Sequence, residues 1–139
     1  MLLLNKLLPT ALFLLLSHAS FADIAVIVNP NNSSQLSPAE VRQIFLGKTH
    51  AFPNGQKAAP FDLPDGEPGK ALFAEQVLRK SISSLNSYWS RMLFSSKGSP
   101  PAAVSANKTL QTVAKNKNAI AYIDTQQVDA SVKVLFTIP

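Results

Sequence analysis

Residues 23–48 read DIAVIVNPNNSSQLSPAEVRQIFLGK, and the change of period within this stretch decides the fold class. Ile24 to Val28 is an apolar, largely β-branched run closed by Asn29-Pro30, the mark of a buried strand. Asn31 to Gln35 is a polar loop. Ser37-Pro38-Ala39-Glu40 then signals a helix start. Ser37 is placed to cap, Pro38 suits the first helical position, and Glu40 completes a capping box. Val41, Ile44 and Phe45 fall at i, i+3 and i+4 on one apolar face, and Gly47 supplies the stop. A buried strand feeding an amphipathic helix is the repeating unit of layered α/β folds.

Working toward the C-terminus, Pro53-Asn54-Gly55 marks a turn. Ala59 to Leu63 reads as a short strand whose proline points to an edge or a strand start. The loop Pro64-Asp-Gly-Glu-Pro-Gly69 leads into a helix over about Pro68 to Arg79, with Leu72, Phe73 and Val77 facing inward. A third helix is expected from about Ser83. Its Leu85, Tyr88, Trp89, Met92 and Leu93 form the cleanest helical stripe in the chain, which assigns Trp89 to core packing. Lys97 to Pro101 ends it. Asn107 is the expected cap of a fourth helix carrying Leu110, Val113 and Ala114. Residues 119–123 and 132–136 read as strands. The expected order is β-α-β-α-α-α-β-β, without internal repeats.

Toward the N-terminus, residues 1–22 have the layout of a secretory signal peptide. Lys6 supplies the positive region, Leu7 to Leu16 the apolar core, and Ser20 and Ala22 the small residues of a cleavage site. The folded product is then a single domain over 23–139, exported from the cytoplasm and expected to be soluble. The chain contains no cysteine, which excludes disulfide scaffolds, thiol nucleophiles and thiolate metal sites. Beyond residue 22 there are 12 Lys and Arg against 8 Asp and Glu. That mild excess favours anionic small ligands, but the basic residues are scattered, which argues against nucleic acid. His50 is the one histidine of the exported part, and no nucleophile elbow accompanies it. The reading is therefore non-enzymatic, with neither a metal site nor a cofactor.

The loop running from Asp62 to Lys70 is the most suggestive segment. A glycine-bearing loop entering a helix presents free N–H groups and the positive helix end to an anion. Gly66, Glu67, Gly69 and Lys70 are its candidate binding residues. Pro68 as the first helical residue would make Glu67 the N-cap, its carboxylate accepting the helix N–H bonds that a phosphate needs.

Several segments together resemble the substrate-binding proteins of phosphate ABC transporters. Ala25 to Pro30 followed by Leu36 to Lys48 resembles that family's strand and its helix ending in IFxGK. Asn118-Ala-Ile-Ala-Tyr-Ile123 resembles its GAIGYV strand. Tyr88 to Arg91 and Gly98 to Pro101 resemble segments of short secreted relatives. The loop before Phe73 occupies the place of the family's Ser-Gly-Thr-Arg type motif, with Glu67 at the serine position and Lys70 at the arginine position. The resemblance implies a periplasmic-binding-protein-like (type II) α/β fold. It would be a single lobe or partial fold, a mixed sheet flanked by about four helices. It also implies a periplasmic binder of phosphate or a related oxyanion for uptake or sensing, working with membrane transporter or sensor proteins, and a homodimer as one way to rebuild a two-lobed cleft. The alternative is an envelope interaction or sensory module that kept the fold without the ligand.

Overall fold

The computed structural model describes residues 23–139; the signal-peptide reading of residues 1–22 lies outside the described residues. Strand β1 (Ile24–Val28) is buried at every position, as a continuous apolar run requires when both sheet faces are covered. Helix α1 (Pro38–Phe45) has the expected capping box between Ser37 and Glu40 and buries Val41, Ile44 and Phe45. It ends in a Schellman motif. Lys48 N–H donates to the Gln43 carbonyl at 2.9 Å and Gly47 N–H to Ile44 at 3.1 Å, with Gly47 at φ +70°.

Strand β2 (Ala59–Asp62) and helix α2 (Pro68–Phe73) flank the suggestive loop. Helix α2 continues as one π-helical turn, Ala74–Leu78, and stops at Arg79, which takes the left-handed conformation at φ +59°. Helix α3 (Ile82–Phe94) starts earlier than expected, because Ser81 rather than a later serine accepts the Ser84 N–H. Strand β3 (Ala102–Ala103) was not anticipated; two alanines carry no strand signal. Helix α4 (Ala106–Lys115) begins at Ser105, not Asn107. Asn107 lies inside the first turn, where its Oδ1 accepts the Ser105 hydroxyl at 2.7 Å. Strands β4 (Ala119–Asp124) and β5 (Lys133–Ile138) close the chain, with a short 3₁₀ turn, Thr125–Gln127, between them.

The sheet order is β3-β2-β4-β1-β5. β2 runs parallel to β3 and β4, whereas β1 is antiparallel to both β4 and β5. The sheet is therefore mixed, as expected. β2 is not an edge strand, despite Pro60. β3 pairs only with Phe61 and Asp62, and Ala59 N–H donates to Asn118 on the β4 side. The missing Pro60 N–H thus faces the side where no partner strand runs.

One face of the sheet packs Val26, Val28, Ile120 and Tyr122 against Phe45, Phe73, Leu85 and Trp89 from α1, α2 and α3. The other packs Ala25, Ile27, Ala121 and Ile123 against Val113 of α4. Trp89 is buried, as its stripe required. Asn29 ties β1 to α4: its Nδ2 donates to the Val113 and Ala114 carbonyls, both at 3.0 Å, and so closes the helix end.

Candidate functional site

Because β2 and β4 are parallel, their carboxyl ends open on the same side of the sheet, together with the start of the antiparallel β1. Open α/β sheets take ligands at that end. Three connections meet there: the loop into α2, the turn after β4, and the start of α4. Between them lies a pocket of about 310 Å³, lined by Ile24, Leu63, Gly69, Leu72, Ala106 and Ile123, among others. Glu67, Asp124 and Gln127 supply its polar groups.

The loop into α2 is held by a network centred on Asp62. The Tyr122 hydroxyl donates to Asp62 Oδ1, and the Leu63 N–H donates to the same oxygen at 2.8 Å. Lys70 Nζ lies 3.8 Å from Asp62 Oδ2 and donates to Asp65 at 2.9 Å. Burial pushes the Tyr122 phenol well above its ordinary range, and the adjacent Asp62 charge adds to that. The Lys70 ammonium holds the exposed Asp65 carboxyl below the usual carboxylate range. Tyr122 also fixes α2. Its ring stacks on Phe73 at 3.8 Å between centroids, and Phe45 meets Phe73 edge-on at 4.8 Å.

The four sequence-selected residues occupy different roles. Gly66 makes the turn at φ +88°. Gly69 lies close against the pocket floor: a Cβ there would stand 3.3 Å from Leu63 Cδ1, so that side chain would have to give by a few tenths of an ångström. Glu67 is the N-cap residue of α2, but its side chain makes no capping bond, contrary to expectation. Two of the first three helix positions offer it no free N–H. Pro68 has no N–H, and the Lys70 N–H goes to the Glu67 carbonyl at 3.0 Å. Glu67 is instead one of the residues lining the pocket. Lys70 is turned away from the pocket toward Asp62 and Asp65.

Asp62, Tyr122 and Asp124 were missed as site residues. Asp62 opened the loop already singled out. Tyr122 and Asp124 belong to the loop's neighbourhood only through the pairing of β2 with β4, which no local pattern shows. His50 is exposed at the other end of β2, bordering a hollow with Trp89 and Pro101. Among the described residues, no three metal-ligating side chains come together.

No protein-family profile and no curated protein sequence matches the chain. Solved structures do match its fold. A protein from Clostridium perfringens, assigned as a phosphate ABC transporter substrate-binding protein and holding bound phosphate, superposes with TM-score 0.62 at 23% identity. An ABC-type phosphate transport receptor from Vibrio cholerae gives 0.62 at 20%. PstS from Borrelia burgdorferi gives 0.58 at 10%. Each match covers 82% of this chain but only 45%, 46% and 47% of the neighbour, in that order. The chain thus has the type II periplasmic-binding-protein fold of phosphate-transport substrate-binding proteins, and it spans less than half their length.

Proposed function

We propose that this chain is a non-enzymatic solute-binding lobe exported to the periplasm of a bacterial envelope, and that its ligand surface is the end of the sheet flanked by the Asp62–Lys70 loop. The observation that carries this reading is the apolar pocket at the carboxyl ends of parallel β2 and β4, on a fold shared with substrate-binding proteins. The phosphate bound by the Clostridium perfringens neighbour makes phosphate or a related oxyanion the first solute to test, with a membrane transporter or sensor as the protein that receives it. On this reading Gly66, Glu67, Gly69 and Lys70 form the binding loop and Lys70 supplies the counter-charge.

Calorimetric titration of the purified chain with phosphate at low salt tests the oxyanion. Saturable micromolar binding, lost in Lys70→Glu, is the expected result. Absence of heat and of thermal stabilisation with phosphate and sulfate would reject the oxyanion. One observation favours the second reading, an interaction module that binds no anion. Lys70 is already engaged by Asp62 and Asp65, so an oxyanion must compete with two carboxylates for the single cation of the loop.

A further inference from the structure

The pocket has a chemistry of its own, distinct from the loop's outer surface. Its floor is apolar: Ile24, Leu63 and Ile123 are buried, and Leu72 and Ala106 are half-buried beside them. Its volume of about 310 Å³ lies at the small end of the range for small-molecule sites, roughly 300–1,000 Å³. Its charged groups are both acidic, Glu67 and Asp124, and no Lys or Arg lines it. The Asp124 Oδ1 accepts the Gln126 N–H at 2.9 Å, which orients that carboxylate at the pocket edge. Among the described residues neither carboxylate has an ion-pair partner. Lys70, the nearest cation in the sequence, is held by Asp62 and Asp65 instead.

These features do not suit an oxyanion. Two acidic residues and no basic one repel it. They suit the opposite charge. A protonated amine donates three hydrogen bonds and can lie between two carboxylates, while an attached hydrocarbon body covers Ile24, Leu63 and Ile123.

We propose that this pocket binds small organic ammonium ions, with an apolar body on the floor and the ammonium group read by Glu67 and Asp124. The proposal rests on the solute-binding reading above and gives this pocket a solute class of its own, apart from an oxyanion held at the loop's outer surface beside Lys70. The energetics are those of a charge-assisted hydrogen bond, for which loss of one partner's charge weakens binding by about tenfold or more.

Isothermal titration of the purified chain with n-hexylammonium chloride, hexan-1-ol, sodium hexanoate and inorganic phosphate tests it. We expect saturable binding of hexylammonium, at least tenfold weaker binding of hexanol, and none of hexanoate. Glu67→Gln and Asp124→Asn should each weaken hexylammonium about tenfold. Asparagine keeps the turn-capping oxygen at 124, and circular dichroism of each variant confirms the fold. Glu75→Gln, a charge loss on the exposed π turn, should leave affinity unchanged. Equal affinity for hexanol and hexylammonium overturns the proposal, because the carboxylates then read no charge. Phosphate binding without hexylammonium binding overturns the proposal and leaves the solute-binding reading standing. Silence with all four probes removes both.

Discussion

Asp62 concentrates more of the site's polar contacts than any residue chosen from the sequence. It accepts from Tyr122 and Leu63 and sits beside Lys70, so the loop's geometry depends on one half-buried carboxylate. Tyr122→Phe should cost about 1–2 kcal/mol at neutral pH, because Asp62 loses one donor while two other contacts remain. The same variant has a pH signature. The Tyr122 phenol has its pKa raised above its ordinary value of 10 in the folded chain. The unfolded chain therefore releases this proton first, and stability present below pH 10 is lost as pH rises further. Urea midpoints between pH 7 and 11 should fall more steeply for the wild type than for Tyr122→Phe. Parallel profiles would show that the phenol is not held protonated by the fold. The neighbouring Lys70–Asp65 pair contributes little, since Asp65 is exposed to solvent and salt.

At the scale of elements, α1 and its stop were readable in full. Its cap, its apolar face and its glycine are local features, and local features survive in the folded chain. Gly47→Ala tests the stop. A Cβ at φ +70° is strained, although at 3.5 Å it would meet the Trp89 ring in ordinary contact. A loss of about 1–2 kcal/mol in denaturant titration is expected. In the sequence Asn29 marks only the end of a strand. Its bonds to the last turn of α4 cross 84 and 85 positions of sequence. Asn29→Ala should cost about 2–3 kcal/mol, because buried carbonyls lose their donor. A thermal midpoint within a degree of wild type would contradict this. The π turn after α2, the short β3 and the Ser105 start of α4 were not readable. Each reflects how an element fits its neighbours. Strand β2 shows the same effect: Pro60 suggests an edge or a strand start, and it stands second in a strand that the brevity of β3 leaves inside the sheet.

At the scale of the molecule, the described residues form one lobe that matches less than half of each larger neighbour. On the proposed reading of one exported lobe over residues 23–139, binding should leave the radius of gyration of a monomer near the value expected for 117 residues, about 13 Å. Scattering with and without hexylammonium or phosphate checks this. A marked rise on adding ligand, with a doubled mass, would show instead that two copies pair around it.

The sequence by itself determined the class of this protein. Strand and helix periods, a capping box, a glycine stop and the absence of cysteine are written in neighbouring residues, so a layered α/β domain held by its core follows from them. The order of motifs along the chain also pointed to the solute-binding fold. The character of the site was decided by tertiary structure alone. The loop suggested an anion, because Gly66, Gly69 and Lys70 stand close together in sequence. Folding turned Lys70 onto Asp62 and Asp65, spent the Lys70 N–H on the Glu67 carbonyl, and brought Glu67 to Asp124 across one pocket. Charge at a site is the sum over residues that are close in space, and strand pairing sets that distance rather than position in the chain.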